Sequence, residues 1–352
     1  MINARFTSDF VIFLDVNSFE IYAHNAHGKP YIVAMHSDYE NKINARHYHR
    51  HIVQSFKRAT VYIKRAWTSQ LPPTVTCVLA DAFTHTVFHQ VTHSFDNEKR
   101  FDGKNFERAL FSDVRKRAWN ELERHTPIDT TDHGFMDVAV YNLEVNGYPV
   151  QLPITQGFRA KEYSFLYGAS IISRKTYKAI REHAERSNVI LHTVSSLSLQ
   201  ALRNFNAPAF AKGQALLVMG DTVSSVLTVH KNTIHMQSVS VGLMQVINNL
   251  SSSAQSWMMI AARHGIAKRL DAVFTRPLAL GVRKAFAAHD DILKRLLDIA
   301  TLERLSIITP IALDVQSVVV EALQGVLYPH ARRYSALRES SRIIHRSHIM
   351  HL

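Results

Sequence analysis

Two short polar turns follow apolar strands and carry the residues whose types could do chemistry. The first is Asp15-Val16-Asn17-Ser18, after Phe10-Val11-Ile12-Phe13-Leu14; the second is Gly220-Asp221-Thr222, after Gln214 to Met219. A carboxylate is a hard oxygen ligand for a divalent cation, which makes Asp221 a candidate metal ligand. The competing reading is structural, because aspartate and asparagine stabilise tight turns by bonding nearby backbone. The histidines offer less. Of His47, His49 and His51, only His47 and His51 share a helix face, and no carboxylate or cysteine completes a ligand set, so a solvated helix start is expected. His345, His348 and His351 near the C-terminus are read in the same way, as a solvated end. There is no G-x-S-x-G elbow and no Cys-His motif, which leaves hydrolase chemistry without a nucleophile. The single cysteine, Cys77, sits inside Thr-Val-Thr-Cys-Val-Leu-Ala and is expected as a small core hydrophobe.

The elements that must position these turns are legible from periodicity. Phe10 to Leu14, Phe19 to Ala23 and Tyr31 to Met35 read as three short strands, the last two separated by the turn His27-Gly28-Lys29-Pro30. An amphipathic helix is expected over residues 44–68, stopped by Leu71-Pro72-Pro73, with a strand at Thr74 to Leu79. From Asp81 the texture changes. A strand over 84–92, a polar stretch over 96–105 and a helix over 106–124 precede a strand over 136–145 and an Asn146-Gly147 hairpin. A strand over 161–172, a helix from Ser173 (a predicted N-cap) to Arg186, a strand over 189–193 and a helix over 196–204 follow. The second half opens like the first, with a strand over 214–219, a hairpin around Lys231-Asn232 and a helix from Gly242. The rest, from about residue 255 to 333, is expected to be mostly helical, with a strand near Ile307 to Ile311.

The composition sets bounds. With 352 residues the chain is long enough for about two domains, and 46% hydrophobic with 20% charged residues is ordinary globular make-up. One cysteine excludes an intramolecular disulfide and fits a reducing compartment. No signal peptide and no apolar run of bilayer length is visible, so a soluble protein, or one attached to a membrane surface, is expected. A net charge of +12 favours anionic partners. The cations are scattered, however, and no RNP motif or zinc-finger spacing accompanies them, which argues against specific nucleic-acid recognition.

The order of these turns and strands resembles the actin/Hsp70/sugar-kinase superfamily, in particular FtsA and PilM. Leu14 to Ile21 looks like its first phosphate motif and Leu217 to Val226 like its second. Asn142 to Ile172 is similar to the FtsA subdomain insertion, and Val239 to Ile247 to the segment after the second motif. The resemblance is collinear over about residues 9–255. It implies an α/β fold of duplicated actin-like (ribonuclease H-like) domains. The first would be built from residues 1–80 and 161–210, with a small α+β insertion at 81–160; the second, reduced, would span 211–333, with a basic tail at 334–352. It also implies vestigial phosphate loops, with Asp15, Asn17, Ser18, Gly220, Asp221 and Thr222 as cofactor-binding positions.

The departures decide the expected function. Glycine lets backbone approach phosphate closely, but Asn17 replaces the glycine beside Asp15. In the second motif Val218 stands at the first carboxylate position, Asp221 at the second glycine, and Ser224-Ser225 at the later Thr-Asp pair. No Gly-Gly pair exists to hold adenosine. Phosphoryl transfer needs several such groups together, so the expectation is a pseudo-ATPase with no catalytic residue, no metal and no required cofactor. The resemblance implies a bacterial, cytoplasmic scaffold linking protein partners of a membrane-associated machine, in cell division as for FtsA or type IV pilus assembly as for PilM. Self-association, with the insertion as the contact, is part of that expectation. The tail, with its arginines and Leu337, Ile343, Ile344, Ile349, Met350 and Leu352, suits peripheral contact with an anionic membrane, although a frayed soluble end is preferred. The rivals are an ATP- and Mg²⁺-binding switch with rebuilt loops, or a basic nucleic-acid-binding protein.

Overall fold

A computed structural model describes residues 6–25, 30–37, 47–125, 128–129, 131–154, 156–204, 214–230, 233–249, 280–281, 284–285, 304–309 and 342–345. Three strands open the chain: β1 (Phe6–Leu14), β2 (Ser18–Asn25) and β3 (Pro30–Ser37). Helix α1 (Tyr48–Ala66) returns the chain to β4 (Thr74–Leu79), which lies parallel to β1. The next module contains β5 (His85–Phe101), α2 (Gly103–His125), β6 (His133–Val145), the two-residue β7 (Tyr148–Pro149) and β8 (Phe158–Ser173). Helix α3 (Arg174–Arg186), β9 (Ile190–Ser196) and α4 (Leu197–Asn204) follow. The second half contains β10 (Gln214–Met219), β11 (Ser224–His230), β12 (Thr233–Val239), α5 (Leu243–Asn248), β13 (Arg304–Thr309) and β14 (Arg342–His345).

These strands form three sheets, ordered β3-β2-β1-β4-β9, β12-β11-β10-β13-β14 and β5-β8-β6-β7. The first two have one topology: a meander of three antiparallel strands, then two parallel strands on the far side of the first. The echo between the two halves of the sequence is therefore a structural duplication. The opening strand of the first half is buried on both faces. Phe10, Ile12 and Leu14 pack against Ile52, Phe56 and Ile63 of α1 and Ile180 of α3. Val11 and Phe13 share a separate core with Leu199 and Leu202 of α4 and with Leu216, Val218 and Leu227 of the second half. A strand buried on both faces reads as a continuous apolar run, as Phe10-Val11-Ile12-Phe13-Leu14 does. The two halves thus meet through one apolar core with α4 inside it.

Several elements differ from the sequence expectation. The strand expected over 84–92 runs on to Phe101, through residues read as a polar stretch. It pairs there with β8 (Lys99 opposite Ala160, Phe101 opposite Phe158), and the Phe101 ring meets those of Phe106 and Phe158 at 5.2 Å each. Cross-strand aromatic contact outweighs the polar composition. The boundary expected at residue 160 falls inside β8, which is the central strand of the third sheet, between β5 and β6. Ser173 occupies the N-cap position of α3, but its hydroxyl makes no capping bond. The largest correction is in the tail. Instead of a frayed end or an amphipathic helix, residues 342–345 form β14, paired in parallel with β13 (Ser306 opposite Arg342, Thr309 opposite His345). Residues 255–279, 286–303 and 310–333, expected to be helical, lie outside the described residues, as do His348 and His351.

Candidate functional site

The two turns singled out in the sequence meet. In the β1–β2 turn, Asp15 N–H donates to Ser18 O at 2.8 Å and Asp15 Oδ1 accepts from Val16 N–H at 2.7 Å. In the β10–β11 turn, Gly220 N–H donates to Val223 O at 3.0 Å. Across the junction, Asp15 Oδ2 accepts the Asp221 N–H at 3.0 Å. Asp221 Oδ2 in turn accepts the Asn17 N–H at 3.0 Å and the Ser18 hydroxyl at 2.9 Å. Asp15 is 1% and Asp221 0% exposed, so each buried carboxylate is held by donors from the opposite turn.

Glycine matters here at two positions. A Cβ on Gly220 would stand 2.8 Å from Val223 O and 3.2 Å from Asp15 Oδ2. A Cβ on Gly242 would lie 2.6 Å from Gly220 O, Asp221 C and Thr222 N, all backbone atoms. The missing side chain lets the start of α5 press on the second turn. Leu243 N–H then donates to Gly220 O at 3.0 Å and Met244 N–H to Asp221 O at 2.9 Å. The first free donors of α5 are satisfied by the turn itself.

A third aspartate, Asp81, completes the junction, and the sequence reading missed it. Asp15 and Asp81 follow the C-terminal ends of the adjacent parallel strands β1 and β4. Asp81 Oδ1 accepts the Ser198 N–H at 3.2 Å and Oδ2 accepts the Ser198 hydroxyl. Burial pushes the Asp81 carboxyl up, opposed by hydrogen bonds from Ser198 and from Ser225 of β11. The signal available in the sequence was its place directly after an apolar strand, shared with Asp15. Nearby, Ser196 Oγ caps α4 by accepting the Leu199 N–H at 3.2 Å, and the Thr86, Ser170 and Ser196 hydroxyls bond one another at 2.7–2.9 Å.

All six sequence-predicted positions (Asp15, Asn17, Ser18, Gly220, Asp221 and Thr222) therefore lie at one junction. Two polar atoms there, Asn17 Oδ1 and Thr222 Oγ1, are buried without a hydrogen-bond partner. A nucleotide with its magnesium is the group that phosphate turns of this order imply. The arrangement does not fit a phosphate between the turns, because the Asn17 N–H, Ser18 hydroxyl and Asp221 N–H already hold carboxylates. A phosphate there would also face two carboxylates, with which it would repel.

The other candidates have structural surroundings. His49 Nδ1 lies 2.8 Å from Thr176 Oγ1 and His51 Nε2 lies 3.4 Å from Ser55 Oγ, so both rings are engaged within and between helices. Cys77 is fully buried, and burial raises its thiol far above the usual range. Among the described residues no group of three or more His, Cys, Asp or Glu is placed to hold a metal ion, and no helix is long and apolar enough to cross a membrane.

The sheet orders and the facing turns define an actin-like ATPase fold. No protein-family profile matches the chain, and no curated protein matches it in sequence. Solved structures do. A PilM-PilN type IV pilus biogenesis complex superposes with a TM-score of 0.51 at 11% identity, covering 97% of this chain and 90% of that one. EutJ, an ethanolamine utilization protein from Carboxydothermus hydrogenoformans, gives 0.46 at 10% identity, covering 97% and 86%. A Bacteroides thetaiotaomicron protein with an actin-like ATPase fold and unknown function gives 0.43 at 8%, covering 98% and 94%.

Proposed function

We propose that the protein is a non-catalytic scaffold with an actin-like fold that joins protein partners of a membrane-associated machine. The observation that carries this reading is the reciprocal bonding of Asp15 and Asp221, which closes the junction without a ligand. Catalytic phosphoryl transfer depends on preorganised donors aimed at phosphate. Here those donors are aimed at carboxylates of the same chain. The likeness to PilM in complex with PilN extends over nearly the whole chain, which favours a type IV pilus setting over cell division and a protein partner in place of a small-molecule substrate.

A second reading, a nucleotide-binding switch, is favoured by one observation: the unpartnered Asn17 Oδ1 and Thr222 Oγ1 at the junction. Calorimetric titration of the full chain with Mg-ATP and Mg-ADP separates the two. The scaffold reading expects no heat and no thermal shift. Micromolar binding that disappears in Asp15→Ala would replace the scaffold with a switch.

A further inference from the structure

The charge of the molecule is concentrated where the site is not. Helices α1 and α3 pack side by side over one face of the first sheet, tied by His49 to Thr176 at 2.8 Å and by Thr60 to His183 at 3.0 Å. Together they carry ten lysines and arginines against two glutamates, a balance of +8 in a chain whose total is +12. Both glutamates belong to α3 and are engaged there, Glu182 by Lys178 and Arg186 and Glu185 by Arg181. Helix α1 has no acidic residue in its 19 positions. Its cations Arg50, Lys57, Arg58, Lys64 and Arg65 are exposed and form no ion pair among the described residues.

The exposed stripe is not only charged. At about 100° per residue, Arg50, Gln54, Lys57, Arg58, Val61, Lys64 and Arg65 fall within roughly a third of the helix circumference. Val61, 47% exposed, lies at the centre, and Tyr62, 44% exposed, lies at the margin with its ring 6.1 Å from that of Phe19. Just beyond the C-terminal end, Leu71 is 72% exposed and its carbonyl accepts the Trp67 indole N–H at 2.7 Å. The positive field reaches the neighbouring helix, where burial and then Lys57, Arg186 and Lys64 lower the His183 pKa.

From this we infer that the α1–α3 face is a docking surface for an anionic phospholipid bilayer. Two parallel helices on a sheet offer a broad face, suited to a lipid surface more than to an inserted peptide. Lysine and arginine bind the headgroups, while isolated apolar and aromatic side chains between them enter the interface. This face is separate from the basic tail, of which residues 342–345 are paired in a sheet. It takes the choice of a membrane from the scaffold reading above, yet its test is separate from nucleotide calorimetry and can fail alone.

The test is sedimentation of the full chain with vesicles of phosphatidylcholine alone and with an equimolar mixture of phosphatidylglycerol and phosphatidylcholine. Binding is expected only to the mixture and is weakened by salt. Lys57→Ala with Arg58→Ala is expected to lower the partition coefficient by roughly 25-fold, at about fivefold per cation. Val61→Ser is expected to lower it further without changing the salt dependence. Arg115→Ala with Lys116→Ala, exposed on α2, is the control for net charge and is expected to leave binding within about twofold of the parent. No binding to the mixed vesicles would overturn the proposal, and so would equal losses in the α1 and α2 variants. Binding of duplex DNA that depends on Lys57 and Arg58, with the vesicles silent, would assign the face to nucleic acid instead.

Discussion

Asp15 and Asp221, 206 positions apart, hold each other's turns: Asp15 Oδ2 accepts the Asp221 N–H at 3.0 Å, and Asp221 Oδ2 accepts the Asn17 N–H at 3.0 Å. The pair fastens the two duplicated halves where the β1–β2 and β10–β11 turns meet. Val11 and Phe13 of the first half and Leu216 and Val218 of the second share the apolar core beside it.

The first prediction concerns this fastening. Asp221→Ala removes the acceptor of the Asn17 N–H and the Ser18 hydroxyl and leaves both buried. A loss of about 2–4 kcal/mol is expected, since each unsatisfied buried donor costs ~1–3 kcal/mol. Asp221→Asn keeps one acceptor oxygen and is expected to lose less. Urea denaturation of the three proteins measures this, and a loss in Asp221→Ala below the error of the midpoint would mean that the cross-bonds do not fasten the halves.

Gly242→Ala is expected to weaken the same junction from the other side. Its Cβ would lie 2.6 Å from backbone atoms of Gly220, Asp221 and Thr222, none of which is the end of a flexible side chain. Overpacking of this kind costs about 1–3 kcal/mol. A thermal melt of the variant, beside an Ala substitution at exposed Gln54 as control, shows whether the turn yields.

Stability is expected to fall in mildly acidic solution. Burial lowers the pKa of His49 and His183 from 6.5, helped by Lys175 for the first and Lys57, Arg186 and Lys64 for the second. His85 is lowered by burial and by His133. Folded values below the unfolded value mean that the unfolded chain binds more protons. The stability these groups contribute is then fully present above about pH 6.5 and lost as the pH falls through the folded values. Asp81, raised from 3.8 by burial, acts in the opposite sense, with its contribution present below about pH 3.8 and lost as the pH rises through its folded value. Denaturation midpoints between neutral and mildly acidic pH should decline, and His183→Gln should flatten the decline. A rising midpoint over that range would contradict the assignment.

Arg203 ties α4 to the third sheet by two bonds to Asp137, at 2.6 and 2.7 Å, and Asp137 is only 8% exposed. Arg203→Ala would leave that carboxylate unpaired, at an expected cost of about 2–4 kcal/mol, below the range for a fully buried pair because the arginine is partly solvated. Arg203→Leu combined with Asp137→Leu is expected to recover much of the loss. A double-mutant cycle in urea reads the coupling directly.

The tail offers a test of topology. A chain ending at residue 341 lacks β14 and exposes the β13 edge, which invites association through unpaired backbone. Lower melting temperature and larger species in size-exclusion chromatography are expected. An unchanged elution volume and equal stability would show that the tail strand is dispensable.

Local elements were legible because their signals are local. The strands Thr74–Leu79 and Gln214–Met219 have the predicted bounds, and so does the Asn146-Gly147 turn, whose two residues have φ of 51° and 79° as a two-residue hairpin requires. Periodicity also placed an amphipathic helix at α1, expected over residues 44–68 and found over Tyr48–Ala66. The polar end of β5 and the C-terminal strand were not legible, since each becomes a strand only through its partner. Lys99 to Phe101 depends on Phe158 to Ala160, and Arg342 to His345 depends on Ser306 to Thr309.

The sequence by itself determined the duplicated strand-and-helix order and the two turns that interrupt it, because periodicity and turn chemistry act over a few neighbouring residues. Only the tertiary structure decided what the turns do. Whether Asp221 faces solvent, a cation or Asn17 and Ser18 depends on how closely two halves approach across a shared core. That distance is set by packing around Val11, Phe13, Leu199 and Leu216 and by the absence of a side chain at Gly242. No local pattern encodes the result. Asp81 illustrates the same limit, as its carboxylate acquires a role only when β4, α4 and β11 meet.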